Sequence, residues 1–325
     1  MFTSTTPLRP VGTSGLMVSA VALGCWPIAG MSSLDVNDTD SMATLHAALD
    51  NSINFLDTAY CYGANGESER LIAKAIVGIR NKVVIATKGG LHWEGTQRIQ
   101  DASPTALLRE CDESLQRLQT DRIDLYYLHA PAPSTPVAES AAAIRRLKKQ
   151  GKIIAVGASN LTPAQLQEFQ DVCPLDAYQP PYNMLQREIE HDVIPWCKKH
   201  NVAVMVYWPL LKGLLAGKLP RDFVFRPGDG RAKYPMFQGE EWLRNQDFVD
   251  ELRQIAEGMG RTVSQLVIRW TIEQPGITAA LCGAKRAEQI QETAAALSFS
   301  LTDEQKAKID AALKRRGTPA SGRAV

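Results

Sequence analysis

The chain has no excess of charge of either sign. Over 325 residues, 36 Lys and Arg stand against 35 Asp and Glu, a net charge of +1. That balance leaves no electrostatic footprint for nucleic acid or an anionic membrane. Long hydrophobic runs are missing too, since none approaches the ~18 apolar residues of a membrane span. The first residues, Met1-Phe2-Thr3-Ser4-Thr5-Thr6-Pro7, lack the basic and apolar blocks of a signal peptide. Six cysteines (Cys25, Cys61, Cys111, Cys173, Cys197, Cys282) are scattered without paired spacing. They read as reduced thiols of a cytoplasmic protein, not as a disulfide frame or zinc site. Histidine is scarce, five in all, and only His129 falls at the end of a strand. This disfavours a metal-dependent hydrolase, which needs clustered His and acid ligands. No Gly-x-Gly-x-x-Gly follows the first strand, which disfavours an open doubly wound sheet. No heptad run or long exposed apolar helix announces a subunit interface, so oligomeric state stays open.

What is present is an alternation. Residues are 45% hydrophobic and 22% charged, the make-up of a soluble globular protein. Short apolar runs predict strands at Val18–Leu23, around Asn54–Asp57, at Lys82–Thr87, Ile123–Leu128, Ile153–Val156, Leu175–Gln179, Val202–Val206 and Thr278–Cys282. Helical spacing follows each, at about Asp38–Ala48, Glu67–Ile79, Ser103–Leu118, Glu139–Lys149, from Thr162-Pro163, and at Glu188–Lys199, Phe248–Gly258, Val263–Thr271, Ala287–Leu297 and Asp303–Leu313. Strands that do not alternate in polarity are buried on both faces and pair in parallel. Eight such units predict a closed (β/α)₈ TIM barrel, one domain over 1–325, with extra C-terminal helices. Thr6–Val11 and Met17 predict a short N-terminal β-hairpin plugging the barrel floor. The tail 316–325 reads as disordered.

Polar residues recur at the strand ends. Asp57 and Tyr62 follow the second strand, Lys88 the third and His129 the fourth. In a barrel these positions converge on one mouth. A free tyrosine, with a pKa near ~10, donates a proton more readily than it accepts one at neutral pH. A lysine beside it would stabilise the phenolate and lower that pKa. An aspartate would hold the lysine charged, and a histidine could bind the substrate oxygen and help relay the proton. The set suits hydride transfer to a carbonyl, for which a cofactor is needed. Aromatic Trp26, Tyr60 and Trp93, with His92, lie in loops near the same end and suit apolar faces of a substrate.

Several motifs in order make the resemblance specific. They are Gly24-Cys25-Trp26, Asp57-Thr58-Ala59 with Tyr62-Gly63, Ala86-Thr87-Lys88, Asp124-Leu125-Tyr126 with His129, Gly157-Ala158-Ser159-Asn160, Gln179, Pro209-Leu210 with Gly213-Leu214-Leu215, and Gly283-Ala284-Lys285. Over nearly its whole length the sequence resembles the aldo-keto reductase superfamily, and within it the bacterial general oxidoreductases and the related potassium-channel β-subunits. The resemblance implies a barrel that binds NADP(H) in an extended pose across its mouth, NAD(H) being the alternative. It implies Tyr62 as general acid–base, Asp57 and Lys88 tuning it, and His129 orienting the carbonyl, with Trp26 and Trp93 facing the substrate. Cys25, Trp26 and Asp57 would flank the cofactor. Ser159, Asn160 and Gln179 would bond the nicotinamide carboxamide, and Tyr207 would stack on the ring. Trp208, Pro209, Leu210, Lys212, Gly213, Leu215 and Lys218 would follow the pyrophosphate, with Arg231 in a closing loop. Gly283, Lys285, Gln289 and Glu292 would form the adenosine end, Lys285 and Arg286 meeting the 2′-phosphate. Trp208 stands where a serine is common, and Thr293 where an asparagine is.

The expected activity is interconversion of a carbonyl (aldehyde, ketone or sugar) and an alcohol. Two alternatives are a cofactor-binding regulatory subunit with little turnover and an NAD-linked sugar or cyclitol dehydrogenase. The channel β-subunits carry asparagine where His129 stands, which weighs against the first.

Overall fold

The computed structural model describes residues 6–30 and 35–319. Eight parallel strands close a barrel: β1 (Val21–Gly24), β2 (Phe55–Asp57), β3 (Val84–Gly89), β4 (Ile123–Leu128), β5 (Ile153–Ser159), β6 (Ala177–Gln179), β7 (Ala203–Val206) and β8 (Ile277–Gly283), which pairs back onto β1. Around it lie α1 (Asp38–Asp50), α2 (Glu67–Ala75), α3 (Pro104–Leu118), α4 (Val137–Lys149), α5 (Pro163–Val172), α6 (Val193–Lys199), α7 (Gly239–Glu257), α8 (Val263–Glu273), α9 (Ala287–Ala294) and α10 (Asp303–Arg316). The chain is thus a (β/α)₈ TIM barrel. No helix among the described residues is long and apolar enough to cross a membrane.

Period-two side-chain alternation explains how the barrel is filled. One parity of each strand faces outward and packs with the helices: Leu23, Leu56, Ile85, Tyr126, Val156 and Val204 belong to that layer. The other parity faces inward: Ala22, Phe55, Ala86, Leu125, Tyr127, Ala155, Ala177, Met205 and Ala279 form a separate interior cluster. Most of these are small, which leaves room for the few large rings. The N-terminal hairpin (Arg9–Pro10 with Met17–Val18) is antiparallel, and Val11 and Val18 join the interior cluster from below.

Local chemistry sets several helix starts. Thr162, Thr262 and Thr302 each form a capping box with a glutamine three residues on, and Ser103 caps α3 ahead of Pro104. Elsewhere the boundaries differ from expectation. β3 runs on through Lys88 and Gly89, so Lys88 belongs to the strand. The helix expected over Glu67–Ile79 stops at Ala75, before Gly78 turns left-handed. The segment expected as one helix over Glu188–Lys199 is a single 3₁₀ turn followed by α6. α7 starts at Gly239, nine residues before the apolar periodicity begins at Phe248. A hairpin of Leu91–Glu94 with Gln97–Gln100 stands on the rim and was not anticipated. α10 extends to Arg316, which is no tail residue: its guanidinium is buried against Asn245 at 2.7 Å and pairs with Glu241. Residues 320–325 of the expected tail lie outside the described residues.

Candidate active site

The inward parity that fills the barrel ends, at the C-terminal edge of the strands, in polar side chains. Phe55 leads to Asp57 on β2, and Ala86 to Lys88 on β3. Tyr127 on β4 precedes His129. Ala155 and Gly157 on β5 lead to Ser159, Ala177 on β6 to Gln179, and Met205 on β7 to Tyr207. The sheet itself therefore delivers these groups to one mouth.

At its centre Lys88 is almost fully buried. Its Nζ donates to Asp57 Oδ1 at 2.6 Å, to the Thr58 carbonyl at 2.8 Å, and to Tyr62 Oη at 3.4 Å. Gln179 Nε2 donates to the other Asp57 oxygen at 2.7 Å. Burial pushes the Asp57 carboxyl up, and Lys88 and then Gln179 pull it back. Tyr62 packs edge-on against Trp26 at 4.9 Å and against His129 at 6.0 Å between ring centres. The Tyr62 phenol is held well above its ordinary pKa, first by burial and then by the charge of Asp57. The lysine was expected to lower it. Its charge is matched at closer range by Asp57, and desolvation of the phenolate wins. Burial, then Lys88 and Arg98, holds His129 well below the ordinary histidine pKa. It is a neutral imidazole at pH 7, able to bond an oxygen but not to supply a standing charge.

A second chain of bonds runs along the strand ends. Ser159 Oγ donates to the Gln179 carbonyl at 2.7 Å. Asn160 Nδ2 donates to Ser159 Oγ at 3.1 Å and to the His129 carbonyl at 3.0 Å. Tyr207 Oη donates to Asn160 Oδ1 at 2.8 Å. Beyond Tyr207 the chain crosses the mouth with Trp208, Leu211 and Lys212 all at positive φ. Such backbone is rare for residues bearing a Cβ. Lys212 Nζ lies between two rings, 3.6 Å from the centre of Trp208 and 4.5 Å from that of Tyr234. Burial, with Lys233 nearby, lowers its pKa to about 8. Arg231 pairs with Asp229 at 2.7 Å and reaches the Lys212 carbonyl. Lys218 pairs with Glu292 across the groove, beside a concavity of about 320 Å³ walled also by Arg253, Glu257 and Arg261.

Not every expected residue is presented to the mouth. The Cys25 thiol is buried, its N–H donates to the Asp57 carbonyl at 2.8 Å and its carbonyl accepts from Ser68. Leu215 is buried in the helical layer. Tyr60 turns away to Glu113 at 2.5 Å, under Arg117. His92 turns to Glu110 at 2.9 Å. Gln289 Oε1 accepts from the Lys285 N–H at 2.9 Å. The Thr293 hydroxyl is spent on the Gln289 and Ile290 carbonyls of its own helix. Trp93 does stand at the rim, its indole N–H donating to the Cys61 carbonyl at 2.9 Å. Two residues of the site were missed. Arg98 comes with the unanticipated hairpin. Tyr127 shares parity with Leu125 and His129, a signal the sequence did contain.

The Aldo/keto reductase family model matches residues 20–314. The chain belongs to the aldo/keto reductase family. It is therefore a carbonyl–alcohol oxidoreductase of a family that uses nicotinamide cofactors. It is 36% identical over 307 residues to "Aldo-keto reductase YhdN" of Bacillus subtilis (strain 168), covering 94% of this chain and 92% of that one. It is 34% identical over 311 residues to the "NADH-specific methylglyoxal reductase" of Escherichia coli (strain K12), covering 90% and 94%. Among solved structures, the glycerol dehydrogenase AKR11B4 from Gluconobacter oxydans superposes with a TM-score of 0.90 at 36% identity, over 99% of both chains. The holo form of aldo-keto reductase AKR11C1 from Bacillus halodurans superposes with a TM-score of 0.78 at 26% identity, over 98% of this chain and 99% of that one.

Proposed function

We propose that the protein interconverts a small carbonyl compound and its alcohol using NADP(H), with Tyr62 as the general acid–base. The observation that carries this reading is Lys88 Nζ, which touches both the Asp57 carboxylate and the Tyr62 hydroxyl inside the barrel mouth. A phenol with a raised pKa stays protonated at neutral pH, so it is ready to give its proton to a carbonyl oxygen. Lys88, fixed by Asp57 and the Thr58 carbonyl, then stands beside the phenolate left behind. Neutral His129 orients the carbonyl oxygen toward Tyr62. Trp26 and Trp93 wall the space above.

The donor set fits a nicotinamide dinucleotide. Amide and hydroxyl groups of Ser159, Asn160 and Gln179 stand beside Tyr207; Lys212 and Lys218 follow Tyr207 along the chain, and Lys285 and Arg286 follow the end of β8. When bound, the cofactor supplies the hydride. Ser159, Asn160 and Gln179 would hold its carboxamide and fix which face is turned to the substrate. Lys212 and Lys218 would meet the pyrophosphate, with Arg231 closing over it. Lys285 and Arg286 would meet a 2′-phosphate, which favours NADP(H).

NADH is the second reading. It is supported by the Escherichia coli relative, whose name calls it NADH-specific. It is also supported by Glu292, which already neutralises Lys218 at the adenosine end. Six free, buried cysteines support a reducing, cytoplasmic setting.

Titration of intrinsic tryptophan fluorescence with NADPH and with NADH, followed by an assay of methylglyoxal reduction and glycerol oxidation, tests the reading. The expected result is tighter binding of NADPH and turnover of a small carbonyl. Tighter NADH binding would move the assignment to the second reading. Binding without turnover of any carbonyl or alcohol would favour a regulatory subunit.

A further inference from the structure

Two adjacent tyrosines on β4 face opposite ways. Tyr126 points into the helical layer, and its hydroxyl donates to the Leu107 carbonyl at 3.2 Å. Tyr127 points into the barrel just below the mouth and is fully buried. Its O–H donates to no acceptor among the described residues. Leaving a buried O–H undonated is unfavourable, and phenylalanine would fill the same space without that cost. Space for the ring depends on Gly157, where a Cβ would lie 2.2 Å from a ring carbon of Tyr127.

What surrounds this hydroxyl is the acid–base machinery. Burial, then the charge of Asp57, pushes the Tyr127 phenol up, and the Gln179 amide, which points a hydrogen bond at its oxygen, pulls it back; Lys88 Nζ lies 5.8 Å from its ring centre. The two Asp57 oxygens are each served by one side-chain donor, Lys88 at 2.6 Å and Gln179 at 2.7 Å. A ligand carboxamide whose carbonyl draws the Gln179 Nε2 toward itself takes the second donor away. A buried carboxylate oxygen is then left without a bond, which pushes the Asp57 pKa up and weakens its hold on Lys88.

We propose that Tyr127 is a stand-by donor to Asp57: its O–H donates to no acceptor in the free protein and takes over the Asp57 oxygen that Gln179 releases when a nicotinamide cofactor binds. This rests on the reading above, in which Gln179 addresses the cofactor carboxamide. Tyr127 is a positioning residue. It acts through Asp57 on Lys88 and Tyr62 and touches no reacting atom.

The test is Tyr127→Phe, with Tyr126→Phe as the control from the other face. Thermal melts are recorded without cofactor and with saturating NADPH or NADH, and kcat and KM are followed against pH. Without cofactor, Tyr127→Phe should melt about 2 °C higher than wild type, because the undonated O–H is gone. With cofactor, its rise in melting temperature should be smaller than that of wild type. At neutral pH kcat should fall about tenfold with KM within about twofold, and the acid limb of kcat should move up by about one pH unit. Tyr126→Phe should melt lower than wild type and keep the wild-type pH profile. A Tyr127→Phe protein with wild-type cofactor stabilisation and pH profile would overturn the proposal and leave the cofactor reading standing. A wild type that neither dinucleotide stabilises would overturn both.

Discussion

The two ends of the barrel mouth are built on different physics. At the Asp57 end the charges are buried, few and matched. Lys88, Asp57 and Gln179 are each under 4% exposed, and they are fixed by strands that set backbone position and side-chain parity. At the groove end the charges are exposed, numerous and carried on turns. Lys218 is 59% exposed in its pair with Glu292, and Arg226 and Asp35 join two loops at 62% and 59% exposure. Charges of the first kind can be worth several kcal/mol because neither partner has water to fall back on. Pairs of the second kind are worth little singly and act together by raising local potential. The buried end is suited to moving a proton, and the exposed end to gathering and releasing an anionic ligand.

The contrast breaks most sharply at Lys88. Lys88→Met leaves Asp57 buried beside a single neutral donor. It should cost about 3–5 kcal/mol of stability and cut carbonyl reduction by roughly 10²–10⁴-fold, read by denaturant melts and steady-state kinetics. A variant as stable and active as wild type would mean that the buried pair serves neither role.

At the other end the effects should be smaller and confined to binding. Lys285→Ala should weaken NADPH about tenfold and leave NADH nearly unchanged in fluorescence titrations. Equal weakening of both would remove the 2′-phosphate from its role. Lys212 gives a still milder, pH-dependent signature. Its pKa in the free protein is about 8, below the ordinary lysine value of 10.5. Between those two values the unfolded chain binds the proton and the folded one does not. The stability of the free protein therefore gains as pH rises through that window. Binding of a pyrophosphate needs the protonated amine, so cofactor affinity should be level below about pH 8 and decline above it. A flat affinity from pH 7 to 10 would mean Lys212 stays with Trp208 and Tyr234 and does not meet the ligand.

The same contrast governs what could be read from the sequence. Asp57, Lys88 and His129 were legible because a short apolar strand announces where it ends, and eight strands in a closed barrel bring those ends together. Tyr62 followed from its loop. The Gln179–Asp57 bond joins residues 122 apart, and no local pattern carries that. The rim hairpin was missed although Glu94-Gly95-Thr96 marks its turn, because Leu91–Glu94 alternates over only four residues and Gln97–Gln100 carries a single apolar residue, Ile99. The start of α7 was hidden for a similar reason, since Gly239-Glu240-Glu241 opens it with no side-chain cap. The high pKa of Tyr62 depends on burial and on the balance between Lys88 and Asp57, which only three-dimensional distances decide. The aromatic cradle of Lys212 depends on positive φ at Trp208 and Lys212, which neither residue type signals.

Tyr62→Phe compared with wild type separates the two ends most directly. The variant removes one hydroxyl from the buried end and touches nothing in the groove. NADPH affinity, followed by tryptophan fluorescence, and the single-turnover rate of carbonyl reduction should be measured on the same preparations. The expected result is affinity within about twofold of wild type and a rate lower by roughly 10²–10⁴-fold. An unchanged rate, or a loss of affinity as large as the loss of rate, would contradict the assignment of proton transfer to Tyr62.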